Sequence, residues 1–557
     1  MDIYSFFQHN GFSFKKETIT NFYLSLITKP FVILSGISGS GKSKIADLFS
    51  EFVTEDEKQI EFFSVKPSWT NDKALMGYHN ILDNRYHITP LIKLIIRAKL
   101  NPDKPFFLIL DEMNLAKVEH YFSDFLSYLE SRRIEYGIND IDADTTFASL
   151  LNEKLKDESI SLSEAIILSA LDIMETQGVD IFTTHLPIST YRENRFSKWW
   201  KENRYGGSPQ NWTPQYRTEL NQGPDKRLAS RLFDGGNGKY RLKRSDELSI
   251  EDNEIIEKYK RLYSSLRTRI KQQKIKLHNS TDLLLSSKTT IDNKKKTPGN
   301  FIQDLYDKSS DTYFVPSEIE LPLNLFIIGT VNIDESTYMF SPKVLDRANT
   351  IEFNDVDVFS LLDVQAFTNN VYNDIHNENF VLKEKSKLEM KIQGIPHSIY
   401  ARGFFQKDEE LFKILIKILD VLKKYNLHFG YRVINEISLY MRNTEVYVED
   451  FAEKKNIALD IQILQKILPK FHGSIQKLWS PLNEVLQVLL KKHININYEE
   501  DLEFEKYLSL IFEREIKNIY DISNADYLNR FRFPRSAKKI IHMLNSLKNH
   551  GFVSFIE

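Results

Sequence analysis

A glycine-rich segment near the start of the chain constrains the fold more than any other feature. Residues 36–43 read GISGSGKS, which matches the pattern G-x-x-x-x-G-K-[ST]. The segment follows the apolar run FVIL at 31–34 and precedes an amphipathic stretch at 44–53, predicted as a helix. A strand, a glycine-rich turn and a helix in this order bind phosphate, because loop N–H groups and the helix N-terminus face the anion. The alternative is an ordinary glycine turn between a strand and a helix.

Five residues of this segment have predicted roles. Gly36, Gly39 and Gly41 let the loop wrap around a phosphate, Lys42 reaches the β- and γ-phosphates, and the Ser43 hydroxyl ligates Mg²⁺. The sequence therefore predicts a magnesium-dependent site for a nucleoside triphosphate, either GTP or ATP.

A pair of acids follows a second apolar run. Residues 105–110 read PFFLIL, and Asp111 and Glu112 come directly after them. A continuous apolar run is typical of a central parallel strand, and ligands bind at the carboxyl ends of such strands. We therefore expect Asp111 to hold Mg²⁺, directly or through water, and Glu112 to polarise the attacking water.

Polar residues also mark two later strands. The apolar run 323–331 ends at Asn332, which is predicted to orient the hydrolytic water; the alternative is a simple turn former. Arg347 precedes a strand predicted at 350–353, where it could act as an arginine finger in a neighbouring subunit's site or form a surface salt bridge.

The pattern becomes helical from about residue 380 onward. Arg432 opens one of the predicted helices. We expect this arginine to lie near the start of a lid and to sense the γ-phosphate.

Composition and charge narrow the class of protein. The chain has 557 residues, with 74 Lys and Arg against 77 Asp and Glu, so any nucleic-acid contact has to come from a local patch. There is no cysteine, which excludes disulfides, zinc–thiolate sites and cysteine nucleophiles. The first residues lack the layout of a secretory signal, and no run of 18 apolar residues occurs. These features predict a soluble cytoplasmic protein without a membrane partner.

Asp111 and Asn332 lie 221 positions apart, which predicts an inserted domain at 134–320. Within it, residues 191–244 contain 13 Lys and Arg against 5 Asp and Glu, interleaved with aromatic residues. A basic patch with aromatic residues suits DNA, because cations contact phosphates and rings stack on bases. The alternative is a partner-binding insert whose tryptophans form a core. The candidate DNA-binding residues are Arg204, Lys226, Arg227, Arg231, Lys239 and Arg241.

The same segment has the outline of a winged helix. A basic helix predicted at 226–233 is joined by the glycine turn 235–238 to a strand predicted at 239–242. This helix would place Arg227 and Arg231 one turn apart on an exposed face.

The chain resembles an AAA+ ATPase in the order and spacing of five features. They are the predicted phosphate loop, the acid pair Asp111-Glu112, Asn332, Arg347 and Arg432. The segments LDEMN at 110–114 and GTVNIDE at 329–335 more narrowly resemble the McrB family. That resemblance covers 28–133 and 322–445. It implies a hexameric ring with sites at subunit interfaces, GTP as the favoured nucleotide, and a separate McrC-type nuclease that cuts DNA.

The chain departs from the McrB pattern in two places. Residues 333–337 read IDEST where McrB reads Thr-Ala-Asp-Arg-Ser, which leaves the choice between GTP and ATP open. The modified-base reader of that family has no counterpart ahead of the phosphate loop, so DNA recognition is expected elsewhere. No nuclease-like Asp…Glu-x-Lys cluster occurs outside the triphosphate site, and cleavage is expected from the partner.

The expected fold is α/β, an AAA+ P-loop core with a parallel sheet, a C-terminal helical lid and a large, mainly α, winged-helix-like insert. The expected boundaries are 1–133 for the first part of the core, 134–320 for the insert with its charged helical arm, 321–380 for the second part of the core, and 381–557 for the lid and C-terminal helices. The expected function is that of an NTP-hydrolysing motor subunit of a McrBC-like antiviral restriction system. The alternative is a MoxR-like remodelling chaperone whose insert binds a protein client.

Overall fold

The chain divides into two compact units. One unit is formed by Met1–Arg132 together with Gln272–Glu557, and the other by Arg133–Lys271. The second unit therefore falls between Asp111 and Asn332 in the chain, and it is shorter than the insert predicted at 134–320. The computed structural model describes residues 1–12, 14–136, 160–177, 181–182, 184–203, 212–222, 227–271, 273–279, 284–285, 306–307, 312–333, 338, 340–353, 379–383, 388, 390, 398–491, 504–512 and 528–556.

A five-stranded parallel sheet forms the centre of the first unit, and its strands lie in the order β5-β1-β4-β3-β2. The strands, numbered in chain order within this sheet, are β1 (Phe31–Gly36), β2 (Ile60–Ser64), β3 (Phe106–Asp111), β4 (Leu325–Asn332) and β5 (Asn349–Phe353). This arrangement confirms the predicted mixed α/β class with a parallel sheet.

The apolar runs become central strands because both faces of the sheet are covered. Alternate residues of β1 pack into two different clusters: Val32 and Leu34 join one, and Phe31 and Ile33 join the other. The first cluster includes the helix Lys16–Thr28 and the C-terminal helices, whereas the second includes the helix Pro90–Leu100. Burial on both faces explains why these strands read as continuous apolar runs.

Strand order and register bring three carboxyl ends together. The β1–β4 pairing sets Gly36 opposite Asn332, and the β4–β3 pairing sets Gly329 opposite Leu110. Because β4 lies between β1 and β3, Asn332 at the end of β4 lies between Gly36 and the acid pair Asp111-Glu112.

The remaining elements of the first unit surround this sheet. Its described α-helices are Ile3–His9, Lys16–Thr28, Lys42–Val53, Lys73–Met76, Pro90–Leu100, Val118–Tyr121, Ser123–Glu130, Pro342–Leu345, Ser398–Lys407, Glu409–Lys424, Tyr431–Tyr447, Phe451–Gln462, Ile475–Val488, Phe504–Phe512 and Pro534–His550. Its short described strands are Tyr78–Asn80, Arg85–His87, Ile275–Lys276, Leu284–Leu285, Tyr306–Asp307, Thr312–Val315, Glu318–Ile319, His472–Ser474 and Phe552–Ser554. Across the described ranges, no helix combines the length and the apolar content needed to cross a bilayer.

The second unit is mainly helical and carries two small described sheets. Its described helices are Leu162–Gln177, Ile188–Glu193, Arg195–Asn203, Trp212–Asn221, Leu228–Leu232 and Ile250–Arg267. One sheet pairs Arg133–Tyr136 with Thr268–Lys271. The other has Lys239–Leu242 in the middle, with Leu186–Pro187 on one side and Phe233–Gly236 on the other. Asn237 and Gly238 connect the last hairpin and both have positive φ, as a two-residue type I′ turn requires.

The basic helix predicted at 226–233 is shorter than expected. It spans Leu228–Leu232, because Phe233 already belongs to the hairpin strand. Arg227 precedes the helix in extended backbone, at φ −144°. The predicted placement of Arg227 and Arg231 one turn apart on a helix face is therefore wrong.

Candidate active site

The loop predicted to bind phosphate connects β1 to the helix Lys42–Val53. Gly39 and Gly41 have φ of +79° and +92°, a region that favours glycine. Gly41 is the N-cap residue, and a Cβ there would lie 3.0 Å from the Phe14 ring. Because Gly41 has no side chain to cap the helix, the N–H groups of the first turn keep their capacity to bind an anion.

Lys42 is held inside this loop. Its side chain is buried, and Nζ donates to the carbonyl oxygens of Gly36 at 3.0 Å and Ile37 at 2.6 Å. These contacts fix the ammonium group within the loop rather than leaving it in solvent.

Two hydroxyl groups converge on the carboxylate of Asp111. Ser43 Oγ donates to Asp111 Oδ1 at 2.6 Å, and Thr330 Oγ1 donates to the same oxygen at 2.7 Å. Ser43 donates its one proton to this bond, and a hydroxyl oxygen that donates can still offer its lone pairs to another partner. A hydroxyl oxygen beside a carboxylate suits Mg²⁺, which takes oxygen ligands. Ser43 and Asp111 are therefore the residues that would hold this ion.

Glu112 and Asn332 also meet at this edge of the sheet. Asn332 Nδ2 donates to Glu112 Oε1 at 2.8 Å, although the two residues are 220 positions apart in the chain. Glu112 has left-handed backbone, with φ +53° and ψ 51°, so the chain turns sharply where β3 ends. The backbone oxygen of Asn332 accepts a hydrogen bond from Asn114 Nδ2 at 2.7 Å. A carboxylate and an amide are thus held side by side.

The two predicted arginines share one acid. Arg347 Nε lies 3.0 Å from Glu130 Oε2, and Arg432 forms an ion pair with Glu130 Oε1. Arg432 also lies 3.4 Å from Asp346 Oδ2. The structure therefore places Arg347 and Arg432 together, near the end of the helix Ser123–Glu130.

Sequence reasoning missed three residues that organise this site: Thr330, Asn114 and Glu130. Thr330 lies two positions before Asn332 on the same strand, so the strand period of two places both on one face. That spacing could have identified it. Neither Asn114 nor Glu130 carries a comparable local signal, because their roles depend on contacts with distant segments.

The candidate DNA-binding residues of the second unit have several acidic partners. Arg227 and Arg231 form ion pairs with Glu219 and Asp252, respectively. Arg241 pairs with Asp234 at 2.8 Å and with Glu247 at 2.7 Å. Lys239 is exposed on its strand. Arg204 and Lys226 lie outside the described residues.

Four aromatic residues of this segment belong to the core of the second unit. Phe196, Trp199, Trp200 and Tyr216 are all at most 4% exposed and belong to one apolar cluster. Their burial leaves these four rings without a surface on which bases could stack.

One family model matches the C-terminal part of the chain. A family model described as "Domain of unknown function (DUF8727)" matches residues 391–552. The matched region includes Arg432 and begins after the last strand of the central sheet. No curated protein matches the chain.

Proposed function

We propose that the chain is a magnesium-dependent nucleoside triphosphatase with an AAA+ core and a helical lid, similar to the McrB family. The observation that carries this proposal is the meeting of Ser43 with Asp111 and of Glu112 with Asn332 at one edge of the sheet, next to a glycine-rich loop that encloses Lys42. The carboxyl ends of these parallel strands therefore bring together an ammonium group, two carboxylates, a hydroxyl and an amide. Together these groups suit a triphosphate and its metal.

Each side chain has a separate task in the proposed reaction. The loop amides and Lys42 bind the β- and γ-phosphates of GTP or ATP. Ser43 and Asp111 would hold Mg²⁺, which supplies charge neutralisation at the transferring phosphate. Glu112 accepts a proton from the attacking water, and Asn332 orients that water through its amide. Arg347 and Arg432 supply positive charge to the phosphates, with Arg347 acting across a subunit interface of a ring, such as a hexamer.

The wider proposal is a cytoplasmic motor subunit of a McrBC-like restriction system. Hydrolysis would be coupled to a separate McrC-like nuclease, and DNA would bind the second unit. Lys239, within the basic segment 191–244, offers an exposed charge for DNA phosphates. Such a charge would contact phosphates and give salt-dependent binding.

A specific observation also supports the MoxR-like chaperone. When the count is extended to residue 257, the segment from 191 contains 13 basic and 11 acidic residues. Asp252 and Glu247, two of the added acids, pair with Arg231 and Arg241. Charges that are neutralised within the unit, over a core of buried rings, suit a surface that binds a protein client.

Turnover of purine triphosphates by the full chain tests the enzymatic proposal. We expect magnesium-dependent release of phosphate from GTP or ATP, alone or with the cognate nuclease. Lys42→Ala should abolish nucleotide binding, whereas Glu112→Gln should retain binding and lose about 100-fold or more in turnover. Normal turnover by Glu112→Gln would refute the assignment of Glu112.

Salt-dependent DNA binding by the full chain separates the two wider proposals. Anisotropy titrations with single- and double-stranded DNA should show affinity that falls with salt, and Lys239→Glu should lower the salt slope by about 1. Lys58→Glu, at an exposed site in the first unit, serves as the matched control. Binding that neither salt nor Lys239→Glu changes would favour the chaperone.

A further inference from the structure

We propose that Thr330 is the positioning residue for both acids of the site, an inference that rests on the proposed triphosphatase function. Thr330 touches neither the phosphate loop nor the water in this scheme. Its hydroxyl instead orients the carboxylate of Asp111, which would hold Mg²⁺. The same hydroxyl supports the backbone turn at Glu112, the proposed general base.

One hydroxyl group serves both acids through opposite hydrogen-bond roles. Thr330 Oγ1 donates its proton to Asp111 Oδ1 at 2.7 Å and accepts the backbone N–H of Glu112 at 2.9 Å. A hydroxyl has one proton to donate and lone pairs to accept, so both bonds form at the same time. Thr330 is 1% exposed, and water is therefore a poor substitute for either partner.

The bond to the Glu112 amide matters because of the backbone at that residue. Glu112 lies in the left-handed region, which disfavours residues with a Cβ, so this turn needs external support. β3 ends at Asp111, and Thr330 on the neighbouring strand supplies the acceptor for the next amide. The hydroxyl thereby stabilises the turn that brings the Glu112 carboxylate to Asn332.

Asp111 depends on Thr330 in a different way. Its Oδ1 accepts hydrogen bonds from the hydroxyl groups of Ser43, at the start of the helix Lys42–Val53, and of Thr330 on β4. Two donors on one oxygen restrict the rotation of the carboxylate. Among the described residues, removal of the Thr330 donor leaves Ser43 as the donor to this oxygen, and Ser43 would itself be a magnesium ligand.

The test compares Thr330→Val with Thr330→Ser in the full chain. Valine has nearly the shape of threonine but cannot form either bond, whereas serine retains both. We expect Thr330→Val to lower kcat by about 10- to 100-fold and to weaken apparent Mg²⁺ affinity, as loss of a residue that orients metal ligands does. Because the phosphate loop is unchanged, KM should move by no more than about threefold. Thr330→Ser should stay within about threefold of the wild type.

Thr350→Val is the matched control. Thr350 lies on β5, is fully buried, and its hydroxyl has no hydrogen-bond partner among the described residues. The same chemical change in the same sheet should therefore leave turnover unchanged. A loss of turnover as large as that of Thr330→Val would show a general effect of valine and overturn the proposal.

A nucleotide-free measurement keeps the proposal independent of activity. Amide hydrogen exchange at Glu112 should accelerate in Thr330→Val, but not in Thr330→Ser or Thr350→Val, since only valine at 330 removes the acceptor. Unchanged exchange together with wild-type kcat in Thr330→Val would overturn the positioning role while leaving the triphosphatase proposal intact. Absence of magnesium-dependent turnover in the wild-type chain would instead overturn the proposed function and, with it, the role of Thr330.

Discussion

Arg347 and Arg432 bind different oxygens of the same carboxylate, that of Glu130. Arg347 lies just before β5, Arg432 lies in the first turn of the helix Tyr431–Tyr447, and Glu130 ends the helix Ser123–Glu130. Glu130 therefore holds the two guanidinium groups that were predicted from the sequence to contact phosphates. The negative charge of Glu130 offsets the repulsion between these two groups.

The first prediction concerns Glu130→Gln. Removing the charge leaves two neighbouring guanidinium groups without their shared partner. Arg347 should lose its fixed position, whereas Arg432 keeps its contact with Asp346 Oδ2 at 3.4 Å. We expect the free energy of unfolding to fall by about 1 kcal/mol, because the groups are partly exposed and screened, and turnover to fall while nucleotide binding is retained. Denaturant titrations and phosphate-release assays measure these effects, and 1 M salt should reduce the difference in stability.

Glu55→Gln is the control for that change, since it removes an exposed ion pair with Lys104 elsewhere in the first unit. It should change stability by no more than about 0.5 kcal/mol and leave turnover unaffected. Wild-type turnover in Glu130→Gln would show that the arginines do not need this acid.

The second prediction concerns Arg347→Ala. Loss of a guanidinium group that stabilises the transferring phosphate should lower turnover by about 100-fold or more and leave nucleotide affinity nearly unchanged. If Arg347 acts across an interface, mixing Arg347→Ala with Lys42→Ala should restore part of the activity, because each variant supplies what the other lacks. Mixtures no more active than the separate variants would indicate that Arg347 acts within its own chain or not at all.

The third prediction concerns Gly329 on β4. A Cβ at Gly329 would lie 2.0 Å from Sδ of the buried Met113, so the alanine variant must displace this side chain. Met113 directly follows Glu112, and we expect Gly329→Ala to cost about 1–3 kcal/mol in stability and to reduce turnover. Gly403→Ala is the control, because a Cβ at this helical position meets no atom of a described neighbouring element within 4 Å. Equal stability of the two variants would contradict the proposed close packing.

The fourth prediction concerns the buried Glu436, which lies 2.5 Å from Lys29 Nζ and 2.6 Å from Lys466 Nζ. Burial alone would raise the pKa of Glu436, but the charges of Lys29 and Lys466 outweigh it and lower the pKa from 4.5 to about 2. We expect Glu436→Gln to lower the free energy of unfolding by about 3–5 kcal/mol near neutral pH, because two buried cations lose their partner.

The pH dependence of this effect has a defined sign. Since the pKa of Glu436 is lower in the folded chain, its contribution to stability is complete above pH 4.5 and is lost as pH falls toward 2. Urea titrations of the wild type and Glu436→Gln should therefore converge below pH 4.5. Glu409→Gln, which removes an exposed pair with Lys413, should give a small and nearly pH-independent difference. A constant gap between wild type and Glu436→Gln down to low pH would contradict this explanation.

Local patterns were enough to predict the elements that form the candidate site. The apolar runs at 31–34, 105–110 and 323–331 correspond to β1, β3 and β4, because a strand buried on both faces needs such a run wherever it occurs. The sequence pattern was less successful at predicting where a helix begins and ends, because tertiary packing decides those boundaries. The basic helix predicted at 226–233 spans only Leu228–Leu232, because Phe233 already pairs within the hairpin.

Charge in the second unit shows why a local count can mislead. Residues 191–244 have a large basic excess, yet Arg231 and Arg241 pair with Asp252 and Glu247, which lie beyond that segment. A count along the chain cannot identify which acidic side chains form ion pairs with which basic side chains in the folded unit.

Neighbours within a few positions were enough to predict the strands β1, β3 and β4, the glycine-rich loop after β1, and the acid and amide side chains at the ends of β3 and β4. Three relationships are visible in the folded unit alone: Thr330 contacts both acids, Asn332 meets Glu112, and one acid binds both arginines. Such contacts join residues hundreds of positions apart. They are fixed by strand order, register and helix packing, which arise when the whole unit buries its apolar surface.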